Sequence, residues 1–114
     1  MDHISQSILR IYASTTDRIG SKLLYEYIVE LAQESGISGA TVYRGIMGYG
    51  ASNKIHNSKF WELTEKLPVV IELVDKTEIL QAFFKGVEQD LYDMPKGCLA
   101  TLEPVSIIMQ KKGK

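Results

Sequence analysis

The densest group of residues able to do chemistry is the segment 44–56, Arg44-Gly45-Ile46-Met47-Gly48-Tyr49-Gly50-Ala51-Ser52-Asn53-Lys54-Ile55-His56. Glycine tolerates positive φ and lets backbone N–H groups approach a ligand closely, which is what an anion such as phosphate needs to be cradled without a clash. Arg44 and Lys54 add positive charge, and Ser52, Asn53 and His56 add hydrogen-bonding groups. The spacing is neither that of a Walker A loop, which ends in Gly-Lys-Ser/Thr, nor that of a dinucleotide fingerprint. Structural turn glycines and ligand-contacting glycines both stay open. Lys96-Gly97 offers a second, shorter turn of phosphate-binding type, or an ordinary left-handed turn beside a solvated lysine.

Catalysis has no comparable apparatus. No carboxylate pair, Ser-His-Asp set or Cys-His pair stands out, and Cys98 reads as a small buried apolar residue rather than a nucleophile. His3 is the only histidine besides His56, so no metal site is expected and His56 reads as a loop residue bonded to backbone or ligand. Arg10 and Arg44 fall in predicted strands, where a guanidinium is half-exposed, aimed at an anion or paired with Glu72 or Glu103; pairing is the preferred reading. Phe60 and Trp61 either pack on the domain or anchor a partner.

These residues need a scaffold, and 114 residues suffice for one domain, 1–114, with its own core. At 45% hydrophobic and 24% charged the chain is expected to fold rather than remain disordered. A net charge of -1 and a pI near 6.1 give no global attraction to nucleic acid, and the basic tail Lys111, Lys112, Lys114 reads as a solvated terminus. With Cys98 alone no intrachain disulfide can form. The opening MDHISQSILRIY lacks the features of a signal peptide and no apolar run reaches membrane-spanning length, so a cytoplasmic protein is expected.

Residues 7–12 alternate with a period of two, placing Leu9 and Ile11 on one face and Ile8, Arg10 and Tyr12 on the other, as in a strand. Leu24, Ile28 and Leu31 recur at helical spacing, giving a helix over 20–35 capped by Gly36. Residues 40–47 form a second strand and 67–74 a third, buried largely on both faces. Asp75 and Glu78 suggest a capping box for a second helix with the stripe Leu80, Phe84, Val87 and Leu91, widened by Ile79 and Phe83. A last strand covers 98–109, with Pro104 marking a bulge or an edge. The order βαββαβ is that of the α+β ferredoxin-like fold, a four-stranded antiparallel sheet with two helices on one face. The other face carries Val70, Val74 and Ile107 or Ile108, so a homo-oligomer is expected. The connection 49–66 is far longer than a hairpin loop and is where function should be readable.

Gly48-Tyr49-Gly50, then Lys54 and His56, then Leu67-Pro68 leading into Ile71-Glu72-Leu73-Val74, resembles the PII-like signalling superfamily over nearly the whole chain. The stretches 20–29, 39–56 and 67–75 are similar to an uncharacterised bacterial PII-related family. The resemblance implies a homotrimer with an adenine nucleotide in each intersubunit cleft, beneath the long connection, whose ordering selects a regulated protein such as a membrane transporter. By position, Gly48 and Gly50 would shape the loop base, Leu73 and Val74 would meet adenine through backbone groups, and Gly97 would be the phosphate-turn glycine. Tyr49, Ser52 and His56 complete the implied site.

The chain departs from the PII pattern in three places. Ala51-Ser52 stand where PII proteins carry Arg-Gln, which puts 2-oxoglutarate sensing in doubt; Cys98 replaces the lysine after the turn glycine; and no tyrosine lies between Tyr49 and Tyr92 for loop modification. Fewer cations favour ADP or AMP over ATP, with Arg44, Lys54 and Lys96 supplying the remaining charge; the resemblance does not by itself call for a metal. The rival expectations are an acylphosphatase-type enzyme using Arg10 and Asn53, and a structural trimer without nucleotide.

Overall fold

A computed structural model of the chain describes residues 5–50 and 66–114, together with the backbone of 56–57. Its elements are β1 (Gln6–Ser14), β2 (Arg18–Ile19), β3 (Lys22–Leu23), α1 (Leu24–Glu34), β4 (Gly39–Arg44), β5 (Met47–Gly48), β6 (His56–Asn57), β7 (Pro68–Lys76), α2 (Thr77–Asp93) and β8 (Leu99–Val105). β4, β7, β1 and β8 lie side by side in that order, every pair antiparallel, and both long helices pack on the sheet. This is the expected α+β ferredoxin-like arrangement.

Alternation along β1 and β7 builds the core. Leu9, Ile11, Val69, Ile71 and Leu73 are buried under the helices, while Ile8, Arg10, Val70, Glu72 and Val74 are half-buried on the open face. The expectation that 67–74 is buried on both faces is corrected accordingly, because one protomer supplies helices to only one side. α1 contributes Leu24, Ile28 and Ala32, with Leu31 at the margin, and α2 contributes Leu80, Phe83, Val87 and Leu91. Phe83 is buried at the centre of the α2 stripe, Phe84 packs half-buried at its margin and Ile79 is exposed, since the buried face continues Leu80 by three and seven residues.

Several boundaries differ from the sequence expectation for local reasons. A small hairpin, β2–β3, turns at Gly20 (φ 61°) and occupies the residues expected to begin the first helix. α1 ends as expected at Gly36 (φ 79°), with Gly36 N–H donating to Gln33 O and Ile37 N–H to Ala32 O, the paired bonds of a Schellman cap. The capping box at α2 does not form. β7 runs on to Lys76, and the Asp75 carboxylate accepts instead from the N–H of Ser38 (2.9 Å) and of Lys76 (2.7 Å), fastening the start of β4 to β7. β8 ends at Val105, so Ile107 and Ile108 lie beyond the sheet rather than on its face, and Pro104 sits on an edge strand as anticipated.

Candidate functional site

The ends of β1 and β4 and the beginnings of β7 and β8 meet at one end of the sheet. The turns 14–17, 44–50 and 94–98 and the return of the long connection at 66–67 gather there. Arg44 closes β4, opposite Val69, and is exposed without a hydrogen bond or ion pair to a described residue. The chain then doubles back: Gly45 N–H donates to Pro68 O at 2.7 Å, and β5 pairs with β6 through Met47 opposite Asn57 and Gly48 opposite His56. A Cβ on Gly48 would lie 3.0 Å from Pro68 Cγ, and one on Gly45 3.2 Å from Pro68 Cβ. These glycines are needed for close approach to the proline ring, since neither has positive φ. Tyr49 and Gly50 are exposed above this base.

At the opposite edge Lys96, Gly97 and Cys98 precede β8, all exposed, with Lys96 likewise unpaired to any described residue. Gly97 lacks the positive φ that a left-handed turn would give it. Cys98 is exposed rather than buried, correcting the sequence reading; partial desolvation, with the nearby Asp17 carboxylate adding to it, pushes its thiol up and so disfavours the thiolate. β4 and β8 are separated by β7 and β1, so the strands that carry the two glycine turns are about 14 Å, three strand spacings, apart.

Ser52 and Lys54, with Asn53, Phe60 and Trp61, lie outside the described residues, and of His56 only the backbone pairing with Gly48 is described. Leu73 and Val74 are not brought to this end. They lie near the far end of β7, where Leu73 is fully buried in the core and Val74 O accepts from Ser38 Oγ at 2.6 Å. β7 is an inner strand, so the ladders to β1 and β4 take up the backbone of both residues.

Sequence reasoning missed the group between the two edges. Thr15 N–H donates to Leu67 O at 2.9 Å and Leu67 N–H donates to Thr15 Oγ1 at 3.2 Å. Asp17, buried, accepts from Ser14 N–H through Oδ2 (2.9 Å) and from Leu24 N–H through its carbonyl (2.7 Å). Serine, threonine and aspartate in a polar stretch resemble any surface loop, and the one usable signal was an aspartate two residues after Thr15, able to close the turn on itself.

On the open sheet face Arg10 is bound by two glutamates, Nε to Glu72 Oε2 at 2.8 Å and Nη1 to Glu103 Oε1 at 2.5 Å, and Tyr43 Oη donates to Glu72 Oε2 at 2.8 Å. The preferred reading of Arg10 as paired is correct. Arg10 and then Tyr43 hold the Glu72 carboxyl below its ordinary range, against desolvation. A carboxyl so depressed stabilises the fold above its unfolded pKa and loses that contribution as pH falls through the folded value. The stabilisation therefore persists through mildly acidic pH. Carbon NMR titration should place the Glu72 midpoint below that of an ordinary glutamate, and Arg10→Met should raise it; an unmoved midpoint would refute the assignment.

Among the described residues no group of three His, Cys, Asp or Glu could hold a metal ion, and no helix is long and apolar enough to cross a membrane.

The DUF190 family model, described as an uncharacterized ACR, matches residues 6–107. A UPF0166 protein of Aquifex aeolicus is 35% identical over 105 residues, covering 92% of this chain and 95% of its own. A UPF0166 protein of Methanocaldococcus jannaschii is 41% identical over 75 residues, 66% of this chain and 68% of its own. Among solved structures, CPII, a nitrogen regulatory PII-like protein from Thiomonas intermedia K12 bound to ADP, AMP and bicarbonate, superposes with a TM-score of 0.63 at 13% identity, covering 90% of this chain and 94% of that one. A candidate PII-like signaling protein from Thermus thermophilus gives 0.62 at 16% identity, with 92% and 91% covered. The fold is PII-like.

Proposed function

The chain belongs to the DUF190 family, and from that premise and its PII-like fold we propose that it is a cytoplasmic regulatory protein, not an enzyme, that binds ADP or AMP at the clefts of a homotrimer. The observation that carries this reading is the placement of two exposed glycine turns, 44–50 and 96–97, at the same end of the sheet but on opposite edges. A nucleotide held by both takes one from each of two copies. Arg44 and Lys96 bring positive charge to those turns with no described residue to neutralise it. CPII, on the same fold, carries ADP and AMP. The connection 49–66, rooted on Pro68, would then change on binding and present itself to a regulated protein, a membrane transporter being one kind.

The test is a thermal shift series against AMP, ADP and ATP, with the mass in solution measured by sedimentation. Ligand at 100 times its dissociation constant adds about 2.7 kcal/mol to the stability of the folded state. ADP or AMP should give the larger rise, and the mass should be that of a trimer. A strictly monomeric protein, or one whose melting is indifferent to every adenylate at millimolar concentration, would overturn the reading.

A further inference from the structure

The turn 14–17 touches neither glycine turn by backbone pairing, yet it is built more tightly than a surface loop requires. Asp17 is buried, and its carboxylate and carbonyl bind Ser14 N–H and Leu24 N–H, while its own N–H donates to Ser14 O at 3.1 Å. The turn is thereby closed on itself and fixed to the start of α1. Its next residue outward, Thr15, makes the two-way exchange with Leu67, one bond through the backbone and one through the hydroxyl. Leu67 is followed by Pro68, whose carbonyl receives Gly45 N–H and whose ring lies under Gly45 and Gly48. A continuous path therefore runs from the first turn of the chain to the base of the long connection: Asp17 to Ser14, Ser14 along the chain to Thr15, Thr15 to Leu67, Leu67 to Pro68, Pro68 to Gly45 and Gly48.

Proline makes the path stiff. Its ring fixes φ and it has no N–H of its own, so the carbonyl and ring that meet Gly45 and Gly48 are set by the β1–β7 ladder, where Pro68 lies opposite Ser14, and by the residue that precedes it. Leu67 is buried and, among the described residues, is gripped on both its N–H and its C=O by Thr15. We propose that Thr15 is a positioning residue for the Arg44-to-Gly50 turn, acting through Leu67 and Pro68, and that its hydroxyl is the part a methyl group cannot replace. The connection to nucleotide rests on the function proposed above; the positioning itself does not.

The test compares Thr15→Val, which keeps the branched shape and the backbone bond but loses the acceptor, with Thr15→Ser, which keeps the acceptor. Amide hydrogen exchange is followed without nucleotide. Loss of one hydrogen bond should speed exchange at Leu67 by about threefold to tenfold. The positioning role requires Gly45 to speed up with it, while Leu9 and Ile71 in the core stay at the wild-type rate and Thr15→Ser restores both loop amides. Gly45 exchange that stays at the wild-type rate in Thr15→Val would overturn the proposal. So would acceleration spread evenly over the core amides, since the residue would then serve general stability alone. ADP titrated into the same variants should bind about three- to tenfold more weakly to Thr15→Val than to Thr15→Ser. A wild-type protein that binds no ADP would sink the nucleotide reading and leave the exchange result to decide the positioning role.

Discussion

Replacing Ile71 by alanine will destabilise the fold by about 2–5 kcal/mol, the range for removing a large aliphatic side chain from a packed core. Ile71 is fully buried at the middle of β7, with Ile11 opposite it on β1 and Val42 opposite it on β4. Its side chain points into the cluster formed with Leu24, Ile28, Leu80 and Val87, where no solvent can fill the space left behind. Since small domains are held by only about 5–15 kcal/mol in total, this one change uses up a large part of the margin. Urea denaturation should show a lowered midpoint with an unchanged slope. Val70→Ala, one residue earlier and on the opposite face, is the control. In an isolated protomer its cost should be much smaller, whereas in a trimer closed over this face the cost should grow with protein concentration. A midpoint in Ile71→Ala equal to that of the wild type would contradict the packing described above.

The second large effect is expected at the charges of the two turns. Arg44→Ala and Lys96→Ala should each weaken ADP binding by about 1.5–3 kcal/mol, or about ten- to 150-fold, because each removes a charge-assisted hydrogen bond to phosphate. Neither side chain is engaged by a described residue, so neither substitution breaks an interaction of the fold and the melting temperature without ligand should barely move. Because the turns lie on opposite edges of the sheet, each variant alone should disable every cleft of a homotrimer. Mixing the two variants in one oligomer should then recover a fraction of clefts that carry both cations. Calorimetry on each variant checks the affinities, and unchanged affinity in both would remove these side chains from the site.

The scaffold was legible because its signals are local and repeated. Period-two alternation around Leu9 and Ile11, helical spacing from Leu24 to Ile28, and Gly36 as a terminator each reflect a rule that a short stretch of chain obeys by itself. The misreadings came where a distant residue decided the outcome. Asp75 looks like a helix cap until Ser38, far away in sequence, is placed beside it. Phe83 and Phe84 are equally apolar, and only the position of the sheet distinguishes them. The candidate site was legible in part. Gly45 and Gly48 announced a close approach, but their neighbour proved to be Pro68, a contact no spacing rule encodes. Thr15 was invisible because its partner, Leu67, lies outside its own segment, and Asp17 was legible only as a residue able to close its own turn on Ser14, not as one that holds Leu24.

The joint between β7 and α2 constrains how such a protein can change length. β7 ends at Lys76 and α2 begins at Thr77, so no spacer separates sheet from helix. Adding a single residue at that joint would turn the helix by about 100° about its axis and carry Leu80, Phe83 and Val87 out of phase with the sheet. Insertions at that point are mechanically forbidden, whereas the 49–66 span and the approach to β8 through Pro95 and Gly97 leave the geometry of the joint untouched. Added length is thus borne more easily at the end of the molecule where the glycine turns lie than at this joint.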